Sequence, residues 1–522
     1  MNFYVFFNIS YRLLFNMKEV LQASNPFYNR VFMGLMSNYF WQSILKSLIN
    51  IARYPIFKMY YSVDGHTFRS IGALWNVLWM CKIFPAIASD IFTCTNQHRK
   101  PFVLLGWLLS FTSVLLLTFA LSGPLWSTTC NVNSTYTDYL PAAISLGFSK
   151  FGVAVTDSAA DGLMVEWTHF ESPAIRGRVN AYAHILQKAG KICSYIVSGV
   201  LFKGWIFGGE SCFSITIVGY FALLSFIGAM AFLLILILFK DYSKETTSSI
   251  TFRHYFRSFW NQLACPAYQR ISVGIFLVMF TRCLYSSASN NVKKYYAKVS
   301  SSTHVWLSMG VCILEAIGIV LLRKSLHRIN WRILITFATY FPLVLRVFVE
   351  TLTIFNVCRN PFFYYFDDYM ESLPEGALYI MVMMLAAEVC QTGCEATMFS
   401  ALMTVYSLGI SVGAACSNYI TSFFDVVGKG KFKRDSDQDR VDIWLSFIIP
   451  FALQLCLIPV VIFLLLGPRD CRKLIRNSKP RPGSRIILVV TYLTLLIWSV
   501  VSNILATHPE YKCLHIVGGK GC

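Results

Sequence analysis

The sequence predicts an all-α membrane protein, a bundle of twelve transmembrane helices in two sets of six, with a thirteenth apolar run near its C-terminus. Three observations carry this. Of the 522 residues, 56% are apolar and only 14% charged, where a soluble chain carries about a quarter charged residues. Apolar runs such as Phe102–Ser122, Ser214–Leu238 and Ile443–Leu466 recur along the chain, each longer than the ~20 residues a helix needs to cross a bilayer. Those runs lack the polar faces of soluble helices and the short alternation of a β-barrel.

The spans fall at about 31–57, 70–89, 102–122, 139–163, 179–202, 214–239, 271–291, 303–322, 333–355, 376–403, 406–425 and 443–466, with the extra run at 485–505. The longest internal hydrophilic connection, Lys240–Arg270, separates six spans from six. The expected organisation is therefore an N-terminal cytoplasmic segment (1–30), a first half (31–239), a central cytoplasmic loop (240–270), a second half (271–466) and a basic tail (467–522). Six plus six with a central loop is the layout of major-facilitator transporters. The apolar opening Met1–Asn16 lacks the charged start and small-residue cleavage site of a signal peptide.

The formal charge of +19 does not indicate nucleic acid, because the basic residues sit in short patches between apolar runs. They orient the chain instead. With the N-terminus inside, cytoplasmic loops hold Arg99/Lys100, Arg176/Arg178, Lys240/Lys244/Arg253/Arg257 and Arg323/Lys324/Arg328/Arg332, and Arg469 to Arg485 follow span twelve. The loop 123–139 has no Lys or Arg and carries the glycosylation sequon at Asn133. Lys293, Lys294, Lys298 and the basic residues of 429–440 run against this orientation, the latter accompanied by four aspartates. Most of the sixteen cysteines lie in apolar runs (Cys193, Cys312, Cys390, Cys456) as small hydrophobes. Cys513 and Cys522 are the one pair placed to form a disulfide, if the tail emerges outside.

Ionisable residues inside spans are the candidate functional groups, since each costs about 2.5–3.5 kcal/mol at a helix centre. Span two carries Lys82, and its end forms a turn with Asp90, Arg99 and Lys100, suited to gating between neighbouring helices. Span four carries Asp157 and Asp161 on one face, with Glu166 expected at the surface. Span five carries His184, Gln187, Lys188 and Lys191 on one face. At 1.5 Å per residue, Lys82, Asp157 and Lys188 lie about 12–14 Å inside, which suggests a shared cavity rather than a self-satisfied ion pair. In the second half, Glu388, Gln391 and Glu395 share a face of span ten. Arg346 and Glu350, four apart, are expected to pair with each other. Arg282 has no assigned role, and Gly409 and Gly413 have the spacing of a close helix contact.

The ordered set Tyr39-Phe40-Trp-Gln42, Lys82 to Ser89-Asp90, Arg99-Lys100-Pro101, Asp157-Ser-Ala-Ala-Asp161 to Val165-Glu166, Arg176-Gly-Arg178 and Gly393-Cys-Glu395-Ala-Thr397 resembles the folate–biopterin transporter family, a branch of the major-facilitator fold. The resemblance covers about residues 39–420. Pro85 comes three residues after Lys82, where the family places it directly after, and Ser43 follows Gln42 where Gly is common. The resemblance implies a multi-pass membrane transporter that takes up folates or pterins with protons as coupling ion. Lysines 82, 188 and 191 are suited to substrate carboxylates, and Asp157 to the pteridine edge or the proton. A monomer with no cofactor, metal or nucleic-acid partner is expected. An embedded enzyme has no support, because the nine histidines show no metal spacing and no phosphate-binding loop is present. A transporter-like receptor or scaffold, or a carrier of another metabolite, is the alternative.

Overall fold

Helices make up nearly all of the computed structural model, which describes residues 26–514 apart from 62, 64, 93–97, 122–125, 128–138, 172–176, 203–213, 242–251, 287, 300, 323–330, 391–392, 425, 427–429, 465–466, 478, 508–510 and 512–513. The opening segment, Asn133, Gln391, Cys513 and Cys522 lie outside the described residues.

Helix α1 (Pro26–Arg53) runs on as a wider turn to Tyr60. Helices α2 (Gly65–Met80) and α3 (Ile83–Ile91) share one stretch of apolar chain that is broken at Cys81-Lys82. Then follow α4 (Lys100–Leu121), α5 (Leu140–Phe170), α6 (Arg178–Leu201) and α7 (Ile217–Leu238). A short helix α8 (Phe252–Gln262) leads into α9 (Pro266–Arg282), α10 (Ser301–Leu322) and α11 (Trp331–Ile354). The chain continues through α12 (Phe366–Val389), α13 (Glu395–Ser422), α14 (Asp437–Leu464), α15 (Pro468–Asn477) and α16 (Pro482–Thr507). Trp126–Ser127 and Ser214–Ile215 form a two-residue antiparallel ladder.

Among the described residues, eight helices are long and apolar enough to cross a membrane, and the pair α8–α9, bent by 70°, would add a ninth. Helices α1, α2–α3, α5 and α6 are outside that set. Their apolarity is diluted by Lys46, Lys82, Lys150, Asp157, Asp161, Lys188 and Lys191. Lys150 aside, these side chains line one internal cavity. For α1, α5 and α6 the polar interior face is the reason, whereas α2 and α3 are left too short by the break between them, at 16 and 9 residues.

Three expected spans are corrected. Span two is not one helix, because Pro85 has no N–H to give the Cys81 carbonyl. Phe84 N bonds to that carbonyl instead (3.1 Å), and the chain turns at Lys82. Spans ten and eleven are α12 and α13, shifted about ten residues toward the N-terminus, with the break at Cys390–Cys394.

The helices pack in two groups joined by a seam. In the first, α4 packs on α5 and α7, and α1 on α6, α7 and α5; in the second, α9 packs on α13 and α14, and α12 on α10 and α11. Gly409 and Gly413 make the α9–α13 contact: a Cβ on Gly409 would meet the Phe276 carbonyl at 2.6 Å. Across the seam, α6 meets α10 and α12, while α13 meets α2, α3 and α5. Helix α16 lies along the outside, touching α2 and α13 and setting Tyr492 against Phe276 of α9 (5.9 Å between rings).

At the end of α11 and the start of α14, Arg359 donates to both Asp435 oxygens (2.6 and 2.9 Å), Arg440 donates to Oδ1 (2.9 Å), and Lys431 meets Asp442 (2.7 Å). These bonds hold the Asp435 carboxyl well below the usual carboxylate range, the Arg359 hydrogen bond most of all. The basic residues of 429–440 that oppose the loop-charge pattern are thus largely matched by their own aspartates.

Candidate functional site: a charged central cavity and a bonded end

The cavity between the two groups measures about 370 Å³, within the range of small-molecule sites. From the first group it is lined by Tyr39, Gln42, Lys46, Trp79, Lys82, Asp157, Asp161, His184, Gln187, Lys188 and Lys191. From the second come Arg282, Glu315, Glu375, Tyr379 and Tyr406. The structure therefore brings all seven candidates from spans two, four and five to one chamber.

Matching depth left open which of them pair. Lys82, 3% exposed at the α2–α3 break, reaches Asp157 Oδ2 (3.2 Å) and Asp161 Oδ2 (3.1 Å). One turn of α5 separates the two acids, so a single ammonium spans both. Tyr39 OH donates to Asp161 Oδ1 (2.9 Å), and the Gln42 amide nitrogen faces Asp157 Oδ1 (3.3 Å). Lys188 does not pair with Asp157. Its ammonium meets Glu315 of α10, an ion pair that crosses the seam. Beside it the His184 ring stacks on Tyr379 of α12 (4.0 Å, 15°), while Nδ1 faces Gln187 Oε1 (3.1 Å). Among the described residues, the buried His184 Nε2 has no hydrogen-bond partner.

Two cavity lysines have no carboxylate partner among the described residues. Lys46 Nζ sits 3.5 Å from the centre of the Trp79 ring, and Lys191 Nζ lies 5.9 Å from that of Tyr195. Sequence reasoning missed Lys46 and Glu315, although each is the one charged residue of an otherwise apolar stretch, which is itself a signal. Arg282 gains a role: with Arg346 it grips Glu371, and it reaches Glu375 at 3.5 Å. Arg346 also reaches Asp367 (3.4 Å), so it does not pair with Glu350, which accepts from Tyr364 OH (3.0 Å).

At one end of the bundle a second cluster ties the groups together. Arg99, fully buried, donates to Asp90 Oδ1 (3.1 Å) and to Glu166 Oε1 (3.1 Å from Nε), with Glu395 at 3.9 Å. Gly162 leaves the room its guanidinium occupies. Glu166 is therefore part of this cluster and not a surface residue. Asp90, at the end of α3, accepts from the backbone N–H of Thr397 (2.8 Å) and Ala396 (3.3 Å). It supplies the first turn of α13 with an anion, where a helix presents unpaired N–H groups and positive dipole. Tyr255 OH of α8 bonds Asp90 Oδ2 (3.1 Å) and Thr397 Oγ1 (2.6 Å). Asp241 caps α4 by accepting from His98 N (2.9 Å), Arg99 N and Lys100 N (3.3 Å), while Lys100 Nζ bonds the Leu236 carbonyl (2.9 Å). Tyr255 and Asp241 lie in the polar connections, where sequence reasoning had no pattern to find them.

Glu388, Gln391 and Glu395 do not form one helical face. Glu388 is in the last turn of α12, Gln391 is outside the described residues, and Glu395 opens α13 beside Arg99. The helix break between them removes the common periodicity.

The BT1 family matches residues 42–480. No curated protein gives a significant match. Among solved structures, the human organic anion transporter MFSD10 (TETRAN) is similar at 14% identity, with a TM-score of 0.56 over 83% of this chain and 100% of that one. A variant of the E. coli fucose:proton symporter FucP is similar at 10% identity, with a TM-score of 0.50 over 84% of this chain and 98% of that one. Taken with the two groups of helices around a central chamber, these matches show a multi-pass membrane transporter of major-facilitator fold, and the chain belongs to the BT1 family of folate–biopterin transporters.

Proposed function

We propose that this chain is a secondary active transporter that moves a small anionic aromatic solute, a folate or pterin, with protons, by alternating access. The observation that carries this reading is the pair of uncommitted cations, Lys46 and Lys191, in a chamber whose other lysines are already paired with carboxylates. Trp79 and the stacked His184–Tyr379 pair offer ring faces to a planar heterocycle. The unpartnered His184 Nε2 offers it a hydrogen bond. The Lys82–Asp157–Asp161 group is the proposed proton site: a proton on either acid weakens its hold on Lys82, so charge and side-chain position change together.

The experiment is uptake of labelled folate, biopterin and amino acids into cells expressing the chain, with and without a pH gradient. Folate or biopterin is expected to accumulate when the outside is acidic. Lys46→Ala and Lys191→Ala are each expected to raise KM roughly 10- to 100-fold, the worth of a hydrogen bond to a charged group. Accumulation of neither compound, or unchanged KM in both variants, would reject the reading.

The same reading makes the two helix groups the moving halves, twelve spans in all, with α16 as a thirteenth. The Asp90–Arg99 end then faces the cytoplasm and acts as a gate, and Asn133 lies outside. It expects a glycosidase-sensitive mass shift that Asn133→Gln removes. Protease cleavage within 123–139 from the cytoplasmic side would reverse the orientation.

A further inference from the structure

Helix α8, Phe252–Gln262, contains no acidic residue and turns 70° from the axis of α9. One face is buried, through Tyr255, Phe259 and Gln262. Flanking it, Phe252, Phe256 and Trp260 stand four residues apart and stack in a line, with ring centres 6.3 Å apart at each step. Phe252 and Phe256 are exposed, as are Arg253 and Arg257 beside them. Soluble helices do not leave an aromatic stripe bare next to arginines, but helices lying in the headgroup layer do. The depth of α8 is fixed independently. Arg485, in the first turn of α16, places its guanidinium 5.0 Å from the centre of the Trp260 ring and donates to the Trp260 carbonyl (3.2 Å). From Ile486 onward α16 exposes apolar side chains. Trp260 and Arg485 thus mark the level where lipid tails give way to headgroups.

We propose that the exposed face of α8 is a binding site for anionic phospholipid headgroups of the surrounding leaflet, and that lipid held there stabilises the Asp90 gate through Tyr255. The rings enter the acyl boundary and the two arginines meet the phosphates, a charge complementarity that zwitterionic lipid satisfies poorly. Binding holds α8 flat against the bundle. The buried face of the same helix delivers the Tyr255 hydroxyl to Asp90 and Thr397, so anything that pins α8 also pins the bond between the two helix groups. The lipid site stands by itself, whereas its effect on the gate rests on the gating role proposed above.

Native mass spectrometry of the full chain in detergent, offered equal phosphatidylserine and phosphatidylcholine, tests the site. The wild type is expected to retain phosphatidylserine preferentially, and each of Arg253→Gln and Arg257→Gln to lower that preference about fivefold. Equal retention of both lipids by the wild type, an unchanged preference in the double variant, or displacement of lipid by soluble polyglutamate would overturn it. The link to the gate is read from Cys394, a buried thiol beside Glu395, by maleimide labelling resolved at the peptide level in vesicles. Phosphatidylserine should slow its labelling several-fold in the wild type and not in Tyr255→Phe, which keeps the lipid preference. Labelling indifferent to lipid would sever the link. Failure of Asp90→Asn to speed labelling would instead defeat the gating role and leave the lipid site standing.

Discussion

Arg99→Ala is expected to abolish transport and to lower the stability of the purified protein by about 3–5 kcal/mol, the cost of leaving buried charges without their partner. Asp90, Glu166 and Glu395 all converge on this one guanidinium, which is itself fully buried. Without it the three acids repel one another at the junction of α3, α5 and α13. Arg99→Lys should recover only part of the loss, since a single ammonium cannot reproduce a planar fork of donors aimed at two carboxylates. Thermal unfolding in detergent separates folding from function. A melting temperature equal to the wild type in Arg99→Ala would show that the cluster does not hold the two helix groups together.

The second large effect is expected at Lys82. Lys82→Met leaves Asp157 and Asp161 facing each other with no cation, and about 3–5 kcal/mol of destabilisation should follow. Adding Asp161→Asn should restore much of that stability, because one neutral and one charged acid need less compensation, but it should not restore uptake. Coupling between the two changes is the measure of the interaction. Asp157→Asn alone leaves the Lys82–Asp161 bond in place, so expression should survive while pH-driven accumulation is lost and solute exchange remains. An Asp157→Asn, Asp161→Asn double variant that still accumulates solute against a gradient would remove this centre from the transport cycle.

The parts of this architecture that were legible in the sequence are those that depend on one helix at a time. Apolar length located most of the long helices, and helical spacing placed Asp157 and Asp161 on one interior face of α5 and His184, Gln187, Lys188 and Lys191 on one of α6. What depends on two helices was read less well. Matching depth placed Lys82, Asp157 and Lys188 at one cavity, which all three line, but depth says nothing about rotation about each axis and so could not name Glu315 on α10 as the partner of Lys188. Arg346 and Glu350 have the spacing of a pair, yet tertiary partners on α12 outcompete the local one. The start of α12 was missed for a related reason. Asp367, Asp368, Glu371 and Glu375 read as a loop until Arg282 and Arg346 are seen to neutralise them. The break at Cys390–Cys394 lies between the largely apolar runs Leu378–Ala387 and Ala396–Met403, so hydropathy averaged over a span's length passes across it.

Helix α16 makes the bundle lopsided. It overlies the seam on the side where α2 meets α13, while nothing corresponding covers α6 and α10 among the described residues. On the other side the α6–α10 contact, with its Lys188–Glu315 ion pair, joins the two groups without such a cover. Under the alternating access proposed above, the α16 side would act as the bound spine of a book and the α6–α10 side as its fore-edge.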